Sequence, residues 1–197
     1  MISTQVTADA VKEELGSFFA TEAHDDADIL LYIQSAIRYI AQYKDFEFLK
    51  KREAVVYTTP MVELTTTYKT KTDSVRDIDG HEFDVLGIDD FYSKYRTSNS
   101  VGVWSDKFVA PNAGTYYVIY YGIPTFPTAL TDTIDLPDSL VDVLNMMSIH
   151  YGYKKLRLYE KANAIIPMAQ AILNKFSERV TQPRTSSVTS MGRRHRI

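Results

Sequence analysis

The sequence predicts an α+β fold, mainly α: a helical bundle with an inserted β-rich lobe and an extended C-terminal tail. Three observations predict it. Apolar residues recur at helical spacing at both ends of the chain. Between them, residues 52–123 alternate and are rich in β-branched and aromatic side chains, punctuated by turn residues. The end of the chain, "TQPRTSSVTSMGRRHRI", is polar, basic and aperiodic. The expected division is a helical body from 1–51 and 124–180, a lobe at 52–123, and a tail at 181–197.

The first helix is expected in "TADAVKEELGSFF", where Val11, Leu15, Phe18 and Phe19 share a spacing and Thr7 serves as N-cap. The next, "HDDADILLYIQSAIRYIAQYKDF", aligns Ile29, Ile33, Ile37 and Ile40 on one face. Asp25, Asp26 and Asp28 lie at its start, where the helix dipole favours acids. They could form a carboxylate metal cluster, but acids placed for the dipole explain them.

In the lobe, "REAVVYTT" and "VELTTTYKTKT" read as strands. "DIDGHEFDVL" places Asp79-Gly80 between two short strands, the tight-hairpin dipeptide. The same letters resemble the opening of a calcium loop. The glycine comes two places too early and no bidentate Glu follows, so the stretch reads as a turn. "DDFYSKYRT" gives one or two helical turns. "VGVWSDKFVA" and "GTYYVIYYG" read as a second hairpin joined by "PNAG". Tyr116, Tyr117, Tyr120 and Tyr121 occupy both faces of one strand, so both faces are covered or one lies at an interface. Trp104 is either lobe core or an exposed contact residue.

Helix returns after "IPTFPTALTDTIDLPDSL". Pro137 suits the first helical position, and Leu140, Leu144, Met147 and Tyr151 share a face that Val141 and Ile149 widen. The last helix, "LYEKANAIIPMAQAILNKFSERV", contains Pro167, which should kink or restart it.

The composition excludes several function classes. With no cysteine there is no disulfide, thiolate metal site or cysteine nucleophile. No apolar run approaches the about 20 residues of a membrane span, and the N-terminus lacks a signal-peptide core. The chain is therefore expected to be made in the cytoplasm without a membrane partner. No Gly-rich phosphate loop, G-x-S-x-G elbow or H-E-x-x-H is present, and no cofactor or metal is expected. His150 falls among helical core residues and reads as structural. Asp89-Asp90 could act as acid and base, but helix capping explains them equally.

Charge is divided unevenly. Arg179, Arg184, Arg193, Arg194 and Arg196 lie in the last nineteen residues, which hold no acid. The other 17 basic residues face all 25 acids, leaving residues 1–178 at net −8. An acidic body argues against a nucleic-acid-binding surface there. The tail could be a solvated terminus, a nucleic-acid contact or a docking peptide.

The assembled pattern resembles the head-to-tail adaptor (connector) proteins of tailed bacteriophages, which dock as a ring beneath the portal. "DADILLYIQSAIRYIAQYKDF" is similar to the family's early helix. "VRDIDGHEFDVLGIDDFYSKY" is similar to its Asp-Gly hairpin and short helical segment. "GTYYVIYYGIPTFPTALTDTIDLPDSL" is similar to its joint, an aromatic strand end followed by a Thr/Asp link and a Leu-Pro helix start. The likeness runs over about residues 8 to 197, and Pro167 departs from the family's uninterrupted last helix. The resemblance implies a structural protein of the virion neck and not an enzyme. It implies a closed ring, often dodecameric, that extends the DNA channel and meets the portal and the next tail component. DNA would pass without specific binding. It further implies that the C-terminal segment inserts into the portal, which here means Arg184, Arg193, Arg194, His195, Arg196 and Ile197. Trp104 would be a lobe contact. Two other readings stay open: a head-closure or tail-completion protein, and a DNA-binding protein using the basic tail.

Overall fold

The computed structural model describes residues 1–16, 25–58, 62–63, 69–92, 99–104, 107–122 and 124–181. In chain order the elements are β1 (Ile2–Ser3), α1 (Thr4–Gly16), α2 (Asp26–Tyr43), β2 (Lys50–Tyr57), β3 (Val62–Glu63), β4 (Lys69–Asp77), β5 (Glu82–Leu86), α3 (Ile88–Tyr92), β6 (Ser100–Trp104), β7 (Lys107–Val109), β8 (Gly114–Gly122), β9 (Thr133–Ile134), α4 (Val141–Lys155) and α5 (Tyr159–Thr181).

The fold is mixed α/β, which corrects the expectation of a mainly helical bundle with an inserted lobe. Seven strands join in the order β2-β8-β4-β5-β6-β7-β3. The sheet curls until its far parts meet: Tyr57 of β2 and Phe108 of β7 stand edge to face with ring centroids 6.1 Å apart. Inside it, Val55, Val75, Phe91, Val101, Phe108, Tyr116, Val118 and Tyr120 form a buried cluster of their own. A layer with its own core is a full partner of the helices.

The misreading has a physical cause. β8 was expected to form a hairpin with the strands before it. It pairs instead with β2 on one side and β4 on the other, both antiparallel. The local hairpin is β6 with β7. Partners such as Lys50 and Tyr121 are far apart in sequence, and periodicity carries no information about who pairs with whom. The stretch "VELTTTYKTKT" likewise divides: β3 lies at one edge of the sheet and β4 near the other.

The helices build a second cluster around α4. This helix touches α1, α2 and α5. It buries residues on all sides, including Val143, Leu144, Met147, His150, Gly152 and Tyr153, as a central helix must. α2 brings Ile29, Ile33, Ile37 and Ile40, all fully buried, to this core. The Asp25 side chain caps α2 by accepting from the Asp28 N–H at 2.8 Å. Asp26 pairs with Lys12 at 2.6 Å and Asp28 with Lys155 at 3.5 Å. The acids of "HDDAD" thus serve capping and helix-to-helix pairing.

α1 starts at Thr4, one turn before the expected cap at Thr7. The Ser3 hydroxyl accepts from the Val6 N–H and takes the capping role. Thr7 is buried within the helix. Phe18 and Phe19 lie outside the described residues. α5 runs through Pro167 as one helix without restarting.

α4 ends in a Schellman turn. The Leu158 N–H donates to the Tyr153 carbonyl at 2.9 Å, and the Arg157 N–H to the Lys154 carbonyl at 3.1 Å. Arg157 occupies the left-handed position with φ 61°, where glycine is the usual occupant. Arg157→Gly is expected to stabilise the fold by up to about 1 kcal/mol, since strain is relieved while the unfolded chain gains some freedom. Urea unfolding checks it, and an unchanged or lowered midpoint would count against strain at this turn.

Candidate functional site

The predicted docking residues Arg184, Arg193, Arg194, His195, Arg196 and Ile197 lie outside the described residues. The structure does define where the tail is rooted. α5 is held at its C-terminal half by Tyr43, whose hydroxyl bonds Asn174 Oδ1 at 3.0 Å. Gln170 Nε2 donates to the Tyr39 hydroxyl at 3.2 Å, and Lys44 Nζ donates to the Ser177 hydroxyl. Phe176 meets Phe46 and Phe48 edge to face at 5.6 and 5.9 Å. Those two phenylalanines lead directly into β2. The tail root is therefore fixed where the helical layer joins the sheet.

Trp104 closes β6, and its backbone pairs with Lys107 across the β6–β7 hairpin. Its side chain lies outside the description. The four tyrosines of β8 divide between two environments. Tyr116 and Tyr120 enter the sheet core, whereas Tyr121 joins the helical core. Tyr117 is half-buried on the outer sheet face with the Arg52 guanidinium 3.7 Å from its ring centroid. Both faces are therefore occupied, and Tyr117 is the partly accessible member.

Among the described residues, the group able to hold a metal ion is Asp77, Asp79 and His81, with ligand atoms within 4.8 Å of one another. Its geometry is that of a turn. Asp77 Oδ1 accepts from the N–H groups of Asp79 and His81 at 2.9 Å each, and Oδ2 lies 3.1 Å from His81 Nδ1. Gly80 supplies the positive φ, 88°. Burial pushes the Asp77 carboxyl up, but the His81 amide, the His81 ring and the Asp79 amide outweigh it and hold the carboxyl below its ordinary value. The hairpin expected at Asp79-Gly80 is present, and its carboxylate is engaged in forming it.

Asp89 and Asp90 are exposed on the short α3. They occupy its first turn, where the helix dipole favours acids. In the joint, the Asp132 carboxylate accepts from the N–H of Thr128 at 2.7 Å, the N–H of Ala129 at 2.9 Å and the Thr128 hydroxyl at 3.0 Å. Those amides hold its carboxyl below the ordinary range. The "TALTD" link is thus a closed turn that sets the chain's entry into β9 and α4.

His150 is buried, and its Nδ1–H donates to the Ala162 carbonyl at 2.8 Å, tying α4 to α5. Burial lowers its pKa; the bond to Ala162 opposes this, and nearby Lys154 adds to the lowering. Above about pH 6.5 the ring is neutral in folded and unfolded chains alike. Below that, the unfolded chain takes up a proton that the folded chain resists, so stability falls as pH drops toward the lowered folded value. His150→Gln is expected to flatten this decline between pH 7 and 5 in urea titrations. An equally steep decline in the variant would assign it elsewhere.

One cleft of about 520 Å³ was not anticipated. Arg157, Leu158, Tyr159, Glu160 and Lys161 line it, around the turn between α4 and α5. The sequence signal was the run of bases in "KKLRLYEK" between two helices. Its lining carries two cations, Arg157 and Lys161, and one carboxylate, Glu160. No described helix is long and apolar enough to cross a membrane. Compared with known proteins, the chain matches no family model and no curated protein.

Proposed function

We propose that this chain is a structural virion protein, a head-to-tail adaptor that forms a ring beneath the portal, extends the DNA channel and connects capsid to tail. The observation that carries the reading is the arrangement around the tail. Five arginines without an acid occupy residues 179–197, on a body of net −8. The helix that leads into them is pinned by Tyr39, Tyr43, Lys44 and the Phe46–Phe48–Phe176 cluster. A rigid root places a charged segment at a fixed point, which lowers the ordering cost of docking. An acidic body also suits a channel through which DNA must slide without sticking. The resemblance in the joint and the hairpin supplies the rest.

In this reading Arg184, Arg193, Arg194, His195, Arg196 and Ile197 dock on the portal, and the sheet faces a neck component or a neighbouring copy. The test is co-sedimentation with the portal protein encoded beside this gene, comparing the full chain with one ending at Arg179. The full chain is expected to travel with the portal and the shortened one to lose most of that association. The shortened chain should keep its circular dichroism spectrum. If neither binds, the portal assignment fails. Salt-sensitive duplex binding lost with the tail would favour the DNA-binding reading instead.

A further inference from the structure

The tip of the β4–β5 hairpin gathers donor groups of two kinds. Asp77 ends β4, Asp79 lies in the turn, and His81 stands just before β5. One ligand atom from each lies within 4.8 Å of the others. The backbone holds Asp77 and His81 opposite one another: the Asp77 N–H donates to the His81 carbonyl at 3.1 Å, and the Gly80 N–H to the Asp77 carbonyl at 3.2 Å. The turn engages only Oδ1 of the Asp77 carboxylate, through the amides of Asp79 and His81. Those two bonds orient the carboxylate and leave Oδ2 toward the imidazole, 3.1 Å from Nδ1.

That separation suits a shared ion. Two donors each about 2.1 Å from one metal lie about 3.0 Å apart at a right angle and about 3.4 Å apart at the tetrahedral angle. The Asp77–His81 pair falls between these values. Asp79 is exposed, so its carboxylate is free to rotate into a third position. The charges at the tip point the same way. Apart from His81, no cationic side chain among the described residues pairs with Asp77 or Asp79, and neighbouring Arg76 is turned to Glu82 at 3.1 Å. Two carboxylates so close repel one another, and a bound cation removes that repulsion. The imidazole decides which cation. Calcium takes six to eight oxygen ligands, whereas imidazole together with carboxylates suits zinc, cobalt or nickel.

We propose that Asp77 Oδ2, Asp79 and His81 Nδ1 bind one divalent transition ion of the zinc class, with water in the remaining positions. In the hydrogen bond to Asp77 the His81 ring proton lies on Nδ1. On binding, that proton moves through solvent to Nε2, and Nδ1 turns its lone pair to the ion. The ion then clips the end of β4 to the start of β5. Because the backbone already sets Asp77 against His81, little ordering cost remains for these two ligands. The site is separate from the tail and does not depend on the ring reading.

The test uses the full chain without an affinity tag. Zinc chloride is titrated in a calorimeter near neutral pH, and cobalt is followed by its visible absorption. A single equivalent of zinc is expected to bind, cobalt bands are expected to appear, and nitrogen-15 NMR should show the His81 Nδ1 signal shifting with zinc. His81→Gln and Asp79→Asn keep the backbone amides that form the turn, so both should leave the circular dichroism spectrum unchanged. Each should weaken zinc binding at least about tenfold, since losing even a group that only orients a ligand has that effect. His24→Gln and His195→Gln should leave it unchanged. No heat beyond dilution at millimolar zinc would overturn the proposal. Zinc binding that survives both hairpin substitutions, or that falls with His195→Gln, would place the ion elsewhere and overturn it too. Tighter binding of calcium than of zinc would reject the imidazole as a ligand.

Discussion

Replacing Phe108 with alanine is expected to lower the unfolding free energy by about 3–5 kcal/mol, the usual cost of emptying a fully buried phenylalanine site. Phe108 has no exposed surface. Its ring contacts Tyr57 from β2 and Tyr116 from β8, at 6.1 and 5.3 Å between centroids. It is thus where the curled sheet closes on itself. The site has limited means to collapse, because its neighbours are anchored in separate strands. Urea unfolding followed by circular dichroism measures the total. Hydrogen exchange then locates it: protection should fall in β2, β4 and β8 before α2 and α4, since the two buried clusters are distinct. A loss below about 1 kcal/mol would show that the sheet ends do not meet in this way.

The second large effect is expected at Gly152. A methyl group there would fall onto Leu15 Cδ1 and come within 3.3 Å of Leu15 Cγ. Leu15 is itself buried, so it has little room to turn aside. Alanine favours a helix interior over glycine by about 1 kcal/mol, which would stabilise an uncrowded site. Overpacking a filled core costs about 1–3 kcal/mol, and here it should win. Gly152→Ala is therefore expected to destabilise, and Gly152→Val more so. A double-mutant cycle decides the cause. Leu15→Ala alone should cost about 2–5 kcal/mol. Combined with Gly152→Ala, it should cost clearly less than the sum, because the new methyl enters the space the leucine leaves. Additive losses would place the strain elsewhere. Nearby, the Tyr153 hydroxyl donates to Glu14 Oε1 at 2.6 Å, and burial together with this carboxylate pushes the phenol up to about 12. The same close approach of α1 and α4 thus creates both the glycine requirement and the polar latch.

Much of the helical layer was legible from local pattern. The repeat of isoleucines in α2 and of Leu140, Leu144 and Met147 around the start of α4 has one physical reading, a buried stripe. Acids at the start of α2, Asp79-Gly80 as a hairpin turn and His150 as a core residue follow from the same short-range logic. The candidate site was legible only as composition. The tail's charge could be counted, but the aromatic and polar contacts that fix its root come from Tyr39, Tyr43 and Phe46, more than a hundred residues away in sequence. The first helix was misplaced by a turn because Ser3 and Thr7 are both acceptable caps, and β1 pairing with β9 decides between them.

By itself, the sequence determined the places where the chain turns, the helices and their buried faces, the acidic body with its basic end, and the exclusion of cysteine chemistry. These depend on residues near each other in the chain, where spacing is a direct record of geometry. Tertiary structure alone decided that β8 lies between β2 and β4, that the sheet closes through Phe108, and that Tyr39 and Tyr43 pin the root of the tail. Strand partners and helix contacts depend on which distant segments meet. That choice is made by the joint burial of many side chains, and no local pattern encodes it.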